Sequence, residues 1–259
     1  MDLGITCETA LVLGGTQGLG RACAEALADA GTRVVLVGRD AQKGRAAAKD
    51  IGDNAFYVQG DLSDPADRRT LFAAACEPAG APSILVTNAG GSPPGPFAEK
   101  THDDWLKALE LNMLAAVEMS RLALPAMIER KFGRIINITS FVVREPYPNM
   151  ALANGVRVGL TGAMAALARE VADKGVTVNN LLPGLMDTPA LQRVYTAQSA
   201  NEGISIDEAK TRMAASIPVG RLGTAEDFGP LCAFLCSRHA GYITAQNFTV
   251  DGGLVRGLF

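Results

Sequence analysis

Seven short apolar or β-branched runs recur along the chain: Ala10 to Leu13, Arg33 to Val37, Ala55 to Val58, Ile84 to Thr87, Arg134 to Ile138, Val176 to Leu181 and Asn247 to Val250. Between them lie longer Ala-rich stretches of helical period, such as Gly20 to Ala30, Ala66 to Ala75, Trp105 to Arg130 and Val156 to Ala172. This alternation predicts βαβ units. The expected fold class is α/β: a single Rossmann-type, doubly wound parallel sheet of about seven strands with helices on both faces.

Helix punctuation agrees with that reading. Asp64-Pro65 and Thr224-Ala225-Glu226-Asp227 read as starts, and Gly31, Gly133 and Gly175 as stops. Pro125, inside the stretch that begins at Trp105, predicts a kink or a tolerated break. Residues 188–217 are polar and poorly periodic, and they follow the C-terminal end of a strand, where open α/β sheets bind ligands. They read as a mobile substrate lid, with an ordered helical hairpin that only packs as the alternative. No Pro/Gly/Ser-rich linker interrupts the pattern, so 1–259 is expected to be one dinucleotide-binding and catalytic domain.

Composition narrows the partners. With 259 residues, 48% hydrophobic and 20% charged, the chain suits one large soluble domain. A net charge of -3 offers no reason to expect nucleic acid or an anionic membrane, which leaves small molecules. No stretch reads as long and apolar enough to span a bilayer, and Met1-Asp2-Leu3-Gly4 lacks the basic and apolar regions of a signal peptide, so the expected location is the cytoplasm. Five cysteines without a CxxC pair fit reduced thiols. Cys232 and Cys236 read as core thiols rather than half a metal site, and no metal is expected.

The chemistry begins at Gly14-Gly15-Thr16-Gln17-Gly18-Leu19-Gly20, which follows the first strand and opens a helix. Glycines there let the backbone approach a pyrophosphate, and the helix N-terminus offers it unpaired N–H groups and partial positive charge. At the end of the second strand stands Arg39, where an NAD-specific site would carry a carboxylate. A guanidinium suits a 2'-phosphate, so NADP(H) is expected over NAD(H), with Asp40 next door as the counter-argument.

The chain resembles the short-chain dehydrogenase/reductase family, in its 3-oxoacyl-acyl-carrier-protein-reductase-like branch. Gly14 to Gly20 is similar to the family's TGxxxGxG, with Leu13 in place of Thr. Gly60-Asp61-Leu62 resembles the adenine-contacting turn, and Asn88-Ala89-Gly90 the NAG motif beside the cofactor ribose. Pro183-Gly184 with Thr188 resembles the segment that holds the nicotinamide. Gly220 to Gly223 and Asp251-Gly252-Gly253 match the C-terminal signature. The resemblance implies a homotetramer or homodimer.

In that family a Tyr donates a proton to the developing alkoxide, a Lys four residues later lowers the phenol pKa, a Ser orients the carbonyl and an Asn anchors a water relay. Asn112 and Ser140 fit the last two roles. Registering the helix on Gly159-Leu160-Thr161 puts Met150 and Asn154 at the Tyr and Lys positions. A thioether cannot donate a proton and an amide carries no charge, although Asn154 could hydrogen-bond ribose hydroxyls. Tyr147, flanked by Pro146 and Pro148, is the nearest replacement phenol, with a wall of the substrate site as its other reading. Tyr195 is a remoter candidate. Arg157 reads as a subunit-interface salt-bridge residue or as a source of restored positive charge, and His102 and His239 as surface residues.

Three functions follow: an NADP(H)-dependent oxidoreductase acting on a carbonyl or hydroxyl substrate, such as a 3-oxoacyl thioester or polyketide-like ketone, by an altered proton route; a cofactor-binding sensor or partner subunit that has lost catalysis; and a non-redox enzyme using the same pocket.

Overall fold

In the computed structural model, residues 1–257 are described. Seven parallel strands form one sheet: β1 (Thr9–Leu13), β2 (Arg33–Gly38), β3 (Ala55–Gln59), β4 (Ile84–Thr87), β5 (Gly133–Ile138), β6 (Val176–Pro183) and β7 (Asn247–Val250). Their spatial order is β3-β2-β1-β4-β5-β6-β7. The order reverses between β1 and β4, and such a switch point opens a crevice beyond the strand C-termini. Every strand predicted from the apolar runs is present, with ends moved by at most two residues.

Successive strand residues face opposite sides, so continuous apolar runs supply two cores. Val12, Val34 and Leu36 pack with α1 (Gly18–Asp29), and Phe228 and Cys232 join them from α9 (Ala225–Cys236). α1 and α9 meet closely at Gly229, where a Cβ would come within 2.5 Å of the Ala22 carbonyl oxygen. Leu11, Leu13, Val35 and Ile135 face the other way, toward α3 (Arg68–Cys76), α5 (Ala115–Glu129) and α6 (Ala151–Val171). α2 (Ala41–Ile51) follows β2, and α4 (His102–Leu109) leads into α5 through a π-helical turn at Glu110–Leu114. Cys23, Cys232 and Cys236 are buried thiols, and no metal-binding group of three His, Cys, Asp or Glu exists among the described residues.

The structure corrects several expectations. Pro125 does not break its helix, since α5 runs through it; the irregularity lies at the π turn, twelve residues or so earlier. The stop before β5 is Lys131, at φ 50°, rather than Gly133, which is the first residue of the strand. The helix predicted from Asp64-Pro65 begins later, with Asp67 preceding Arg68. His102–Glu129 and Ala151–Lys174 are each long and apolar enough to cross a bilayer, at hydropathy 1.3, contrary to the sequence reading. Both pack on the sheet. Residues 188–217 contain a helical hairpin, α7 (Pro189–Glu202) and α8 (Ile206–Ala215), with a small core of Tyr195, Ala209, Ile217 and Leu222.

Candidate functional site

The crevice at the switch point is built first from backbone. Gly14 and Gly18 adopt φ values of +60° and +57°, which side-chain-bearing residues rarely occupy. A Cβ on Gly20 would lie 2.4 Å from the Gly14 carbonyl oxygen, so only glycine allows this tight turn. Asn88 braces the loop by donating from Nδ2 to that same oxygen at 3.1 Å. Gln17 precedes α1 without capping it by a side-chain hydrogen bond, which leaves the first helical N–H groups available to an anion. Thr188 and Pro189 stand opposite, 3.7 and 3.9 Å from a Cβ built on Gly18. The loop therefore brings together Thr16, Gln17, Gly18, Leu19 and Thr188. These features fit a bound pyrophosphate.

At the adenine end, Thr16 packs where a Cβ on Gly38 would sit, and Arg39 is exposed beyond it. Asp40 does not compete for the ribose: its Oδ1 accepts the Gln42 and Lys43 amides and caps α2. That removes the sequence-level argument against a 2'-phosphate. Asp61 Oδ1 accepts from the Ser63 amide and hydroxyl. Burial alone would raise its carboxyl, but those bonds and the charge of Arg39 hold it below the usual carboxylate range. Leu62 is buried behind it, and Ala89 continues the crevice wall from β4, followed by Gly90, whose carbonyl is taken by Asn112. Pro183 ends β6, and a Cβ on Gly184 just after it would collide with Asp251 at 2.6 Å.

The reaction end is set by the π turn. Asn112, buried within it, accepts from Ser92 Oγ at 2.8 Å and donates to the Gly90 carbonyl at 2.7 Å. The turn is held by Arg68, whose buried guanidinium reaches the Glu110 carbonyl and carboxylate and also the Leu62 carbonyl. Ser140 follows β5 in extended conformation, half-buried, its Oγ accepting weakly from the Val142 amide at 3.4 Å. Tyr147 lies in the loop before α6, as expected; it is 56% exposed and stands edge-on to Phe141 at 5.9 Å.

The helix faces differ from the sequence register. Met150 is the residue before α6 and packs against Phe141, Val142 and Ala153. Asn154 donates from Nδ2 to the Tyr147 carbonyl at 3.2 Å, and its buried Oδ1 has no partner. Arg157 and Leu160, not Met150 or Asn154, line the cavity of about 20 Å³ that also touches Leu13, Thr87, Asn88 and Asn112. One turn before Arg157, on its face of α6, is Ala153. The reading of Arg157 as a subunit-interface salt bridge is corrected: one terminal nitrogen donates inward, to the Ile138 and Thr139 carbonyls at 3.1 and 2.7 Å. Burial lowers its guanidinium to about 10, which still leaves it protonated at neutral pH.

Tyr195 donates to Asp187, which Lys210 also grips. Burial and that carboxylate raise the phenol, so it is a poor proton source. His102 and His239 are exposed, as expected. The sequence reading missed Arg68 and Asp187, which carry no motif of their own.

Comparison with known proteins assigns the class. A family model described as enoyl-(acyl carrier protein) reductase matches residues 14–255. The 3-oxoacyl-[acyl-carrier-protein] reductase FabG of Haemophilus influenzae is 32% identical over 247 residues, covering 95% of this chain and 98% of the relative. The crystal structure of L-sorbose reductase from Gluconobacter frateurii, complexed with NADPH and L-sorbose, superposes with a TM-score of 0.95 at 28% identity, covering 100% of both chains. A short-chain oxidoreductase from Pseudomonas aeruginosa PAO1, NADPH-bound and described as containing an atypical catalytic center, gives 0.88 at 30% identity over 98% and 99% of the two chains. The fold and site are those of an oxidoreductase enzyme. The chain belongs to the enoyl-(acyl carrier protein) reductase family, among the FabG-like short-chain dehydrogenase/reductases.

Proposed function

We propose that the protein is an NADP(H)-dependent reductase or dehydrogenase of a carbonyl or hydroxyl substrate, with a 3-oxoacyl thioester or polyketide-like ketone as the favoured class. The observation that carries this reading is the convergence of an uncapped α1 N-terminus, Asn88 and Asn112 on one crevice at the switch point, with Ser140 two residues beyond Ile138, which lines it. NADPH in the L-sorbose reductase and Pseudomonas structures supports the cofactor choice, as does the commitment of Asp40 to its helix cap. When bound, the nucleotide supplies or accepts hydride. Gly14 to Gly20 hold its pyrophosphate; Arg39 takes the 2'-phosphate; Asp61 and Leu62 flank the adenine; Asn88, Ala89 and Gly90 border the ribose; and Pro183, Gly184 and Thr188 hold the nicotinamide end.

Ser140 orients the substrate oxygen, and Asn112, held by Ser92 and the Gly90 carbonyl, anchors a water relay. The proton takes an altered route, because Met150, Ala153 and Asn154 offer no acid. Tyr147 is the nearest phenol and, in this reading, supplies it; Asn154 donates to the carbonyl of that tyrosine. α7 and α8 act as the substrate lid over 188–217. A homotetramer or homodimer in the cytoplasm completes the reading.

Turnover of a panel of ketones and 3-oxoacyl thioesters with NADPH tests it. The expected result is slow reduction that Tyr147→Phe lowers roughly a hundredfold or more, the ordinary worth of a general acid. Tight NADPH binding with no turnover across the panel would favour the other reading, a sensor or partner subunit.

A further inference from the structure

Two loops leave the C-terminal ends of the neighbouring strands β4 and β5 and flank the mouth of the crevice. Proline stiffens both: Pro93, Pro94 and Pro96 in the first, Pro146 and Pro148 in the second. Both are rooted at the reaction end, the first by Ser92, which donates to Asn112, and the second by Ser140. The Gly95 amide ties one to the other by donating to the Asn149 carbonyl at 2.7 Å. Two residues beyond Gly95 stands Phe97, 73% exposed, and two before Asn149 stands Tyr147, 56% exposed. The third exposed aromatic among the described residues, Tyr242, precedes β7 and lies toward the opposite end of the sheet.

Neither ring is free to fold away from water. Lys100 donates from Nζ to the Pro94 carbonyl at 3.0 Å, and Phe97 opens a 3-10 turn, Phe97–Glu99. Tyr147 stands edge-on to Phe141, and its carbonyl accepts from the Met150 amide and from Asn154. Rings fixed in this way lose little freedom when a planar partner packs on them, which is the condition for a preorganised aromatic site.

We infer that Phe97 and Tyr147 form an aromatic clamp for the substrate, selecting ketones carried on a fused aromatic ring over saturated rings and unbranched acyl chains. This rests on the reading of the crevice given above and names the substrate class within it. An aromatic substrate gains from stacking and edge contacts as well as from burial, whereas a saturated one of the same size gains from burial alone. Phe97 handles neither hydride nor proton in that reading, so its influence falls on substrate affinity. Tyr147 contributes through its ring as well as its hydroxyl.

The ketones 2-tetralone and 2-decalone share a carbon skeleton and differ in one aromatic ring, so their reduction with NADPH isolates the stacking. Wild type is expected to show a KM for 2-tetralone about fivefold or more below that for 2-decalone. Phe97→Leu, which keeps apolar bulk, is expected to lose most of that ratio through KM rather than kcat, and Phe97→Trp to keep it. Tyr147→Phe is expected to keep the ratio while kcat falls. Equal KM values for the two ketones in wild type, or a ratio that survives Phe97→Leu, would overturn the inference and leave the crevice reading standing. Should wild type reduce neither ketone, the hydride reading fails by itself, and calorimetric titration of the same pair into wild type and Phe97→Leu, with NADPH present, gives the ratio as Kd and decides the clamp separately.

Discussion

Arg157 donates to the carbonyl oxygen of Thr139 at 2.7 Å, tying the middle of α6 to the residue just before Ser140. A cation is thereby fixed one residue from the group proposed to orient the substrate. The arrangement has a cost in the ligand-free protein, since burial disfavours the charged form. Its folded pKa lies below the unfolded value, so the charge opposes folding at neutral pH and that opposition fades only as pH rises through about 10. Arg157→Met removes that penalty but also takes a donor from the Ile138 and Thr139 carbonyls, so urea unfolding of the ligand-free protein is expected to shift by no more than about 1 kcal/mol either way. A large loss of stability would show that the guanidinium serves packing.

Arg39 has its own signature. Its side chain is exposed and Asp40 is occupied at the helix cap, so the guanidinium is free for a 2'-phosphate. Arg39→Ala should weaken NADPH by roughly tenfold to a hundredfold, the worth of charge-assisted hydrogen bonds, and leave NADH nearly unchanged. Paired fluorescence titrations check this.

Arg68 links two parts of the crevice, the Leu62 carbonyl behind the adenine turn and the Glu110 carbonyl that begins the π turn. Its side chain is 4% exposed. Arg68→Met leaves three acceptors unpaired and is expected to cost about 3 kcal/mol, less than a fully buried pair because Glu110 reaches water. The measurement is the urea midpoint, and Asn112-dependent activity should fall with it.

Asp187 joins α7 and α8 to the end of β6 by accepting from Tyr195 and pairing with Lys210. Lys210, more than burial opposes, holds the carboxyl below its ordinary range. A depressed folded pKa contributes stability above the unfolded value, about 4, and loses it as pH falls through the folded one. Asp187→Asn should therefore cost about 0.5 to 1 kcal/mol at pH 7 and almost nothing at pH 3. A pH-independent difference would contradict this account of the hairpin.

The tight turn before α1 was legible because glycine identity encodes backbone geometry: Gly14, Gly18 and Gly20 are needed by φ or by contact. The strands were legible because both faces of the sheet are buried, which makes each run continuously apolar. The phase of α6 was not. Its sequence is small and apolar nearly all round, so periodicity does not say which residues face the crevice, and an arginine reads as surface. The hairpin at 188–217 hid its order for the opposite reason: its core is four residues, too few to mark a period.

The central claim is hydride chemistry on a substrate oxygen held by Ser140. Single-turnover oxidation of NADPH with a reducible 3-oxoacyl thioester, in wild type and Ser140→Ala, tests it most directly. The account predicts measurable oxidation in wild type, a fall of roughly a hundredfold in Ser140→Ala, and unchanged NADPH affinity. Equal rates in the two proteins, or bound NADPH that is never oxidised, would contradict it.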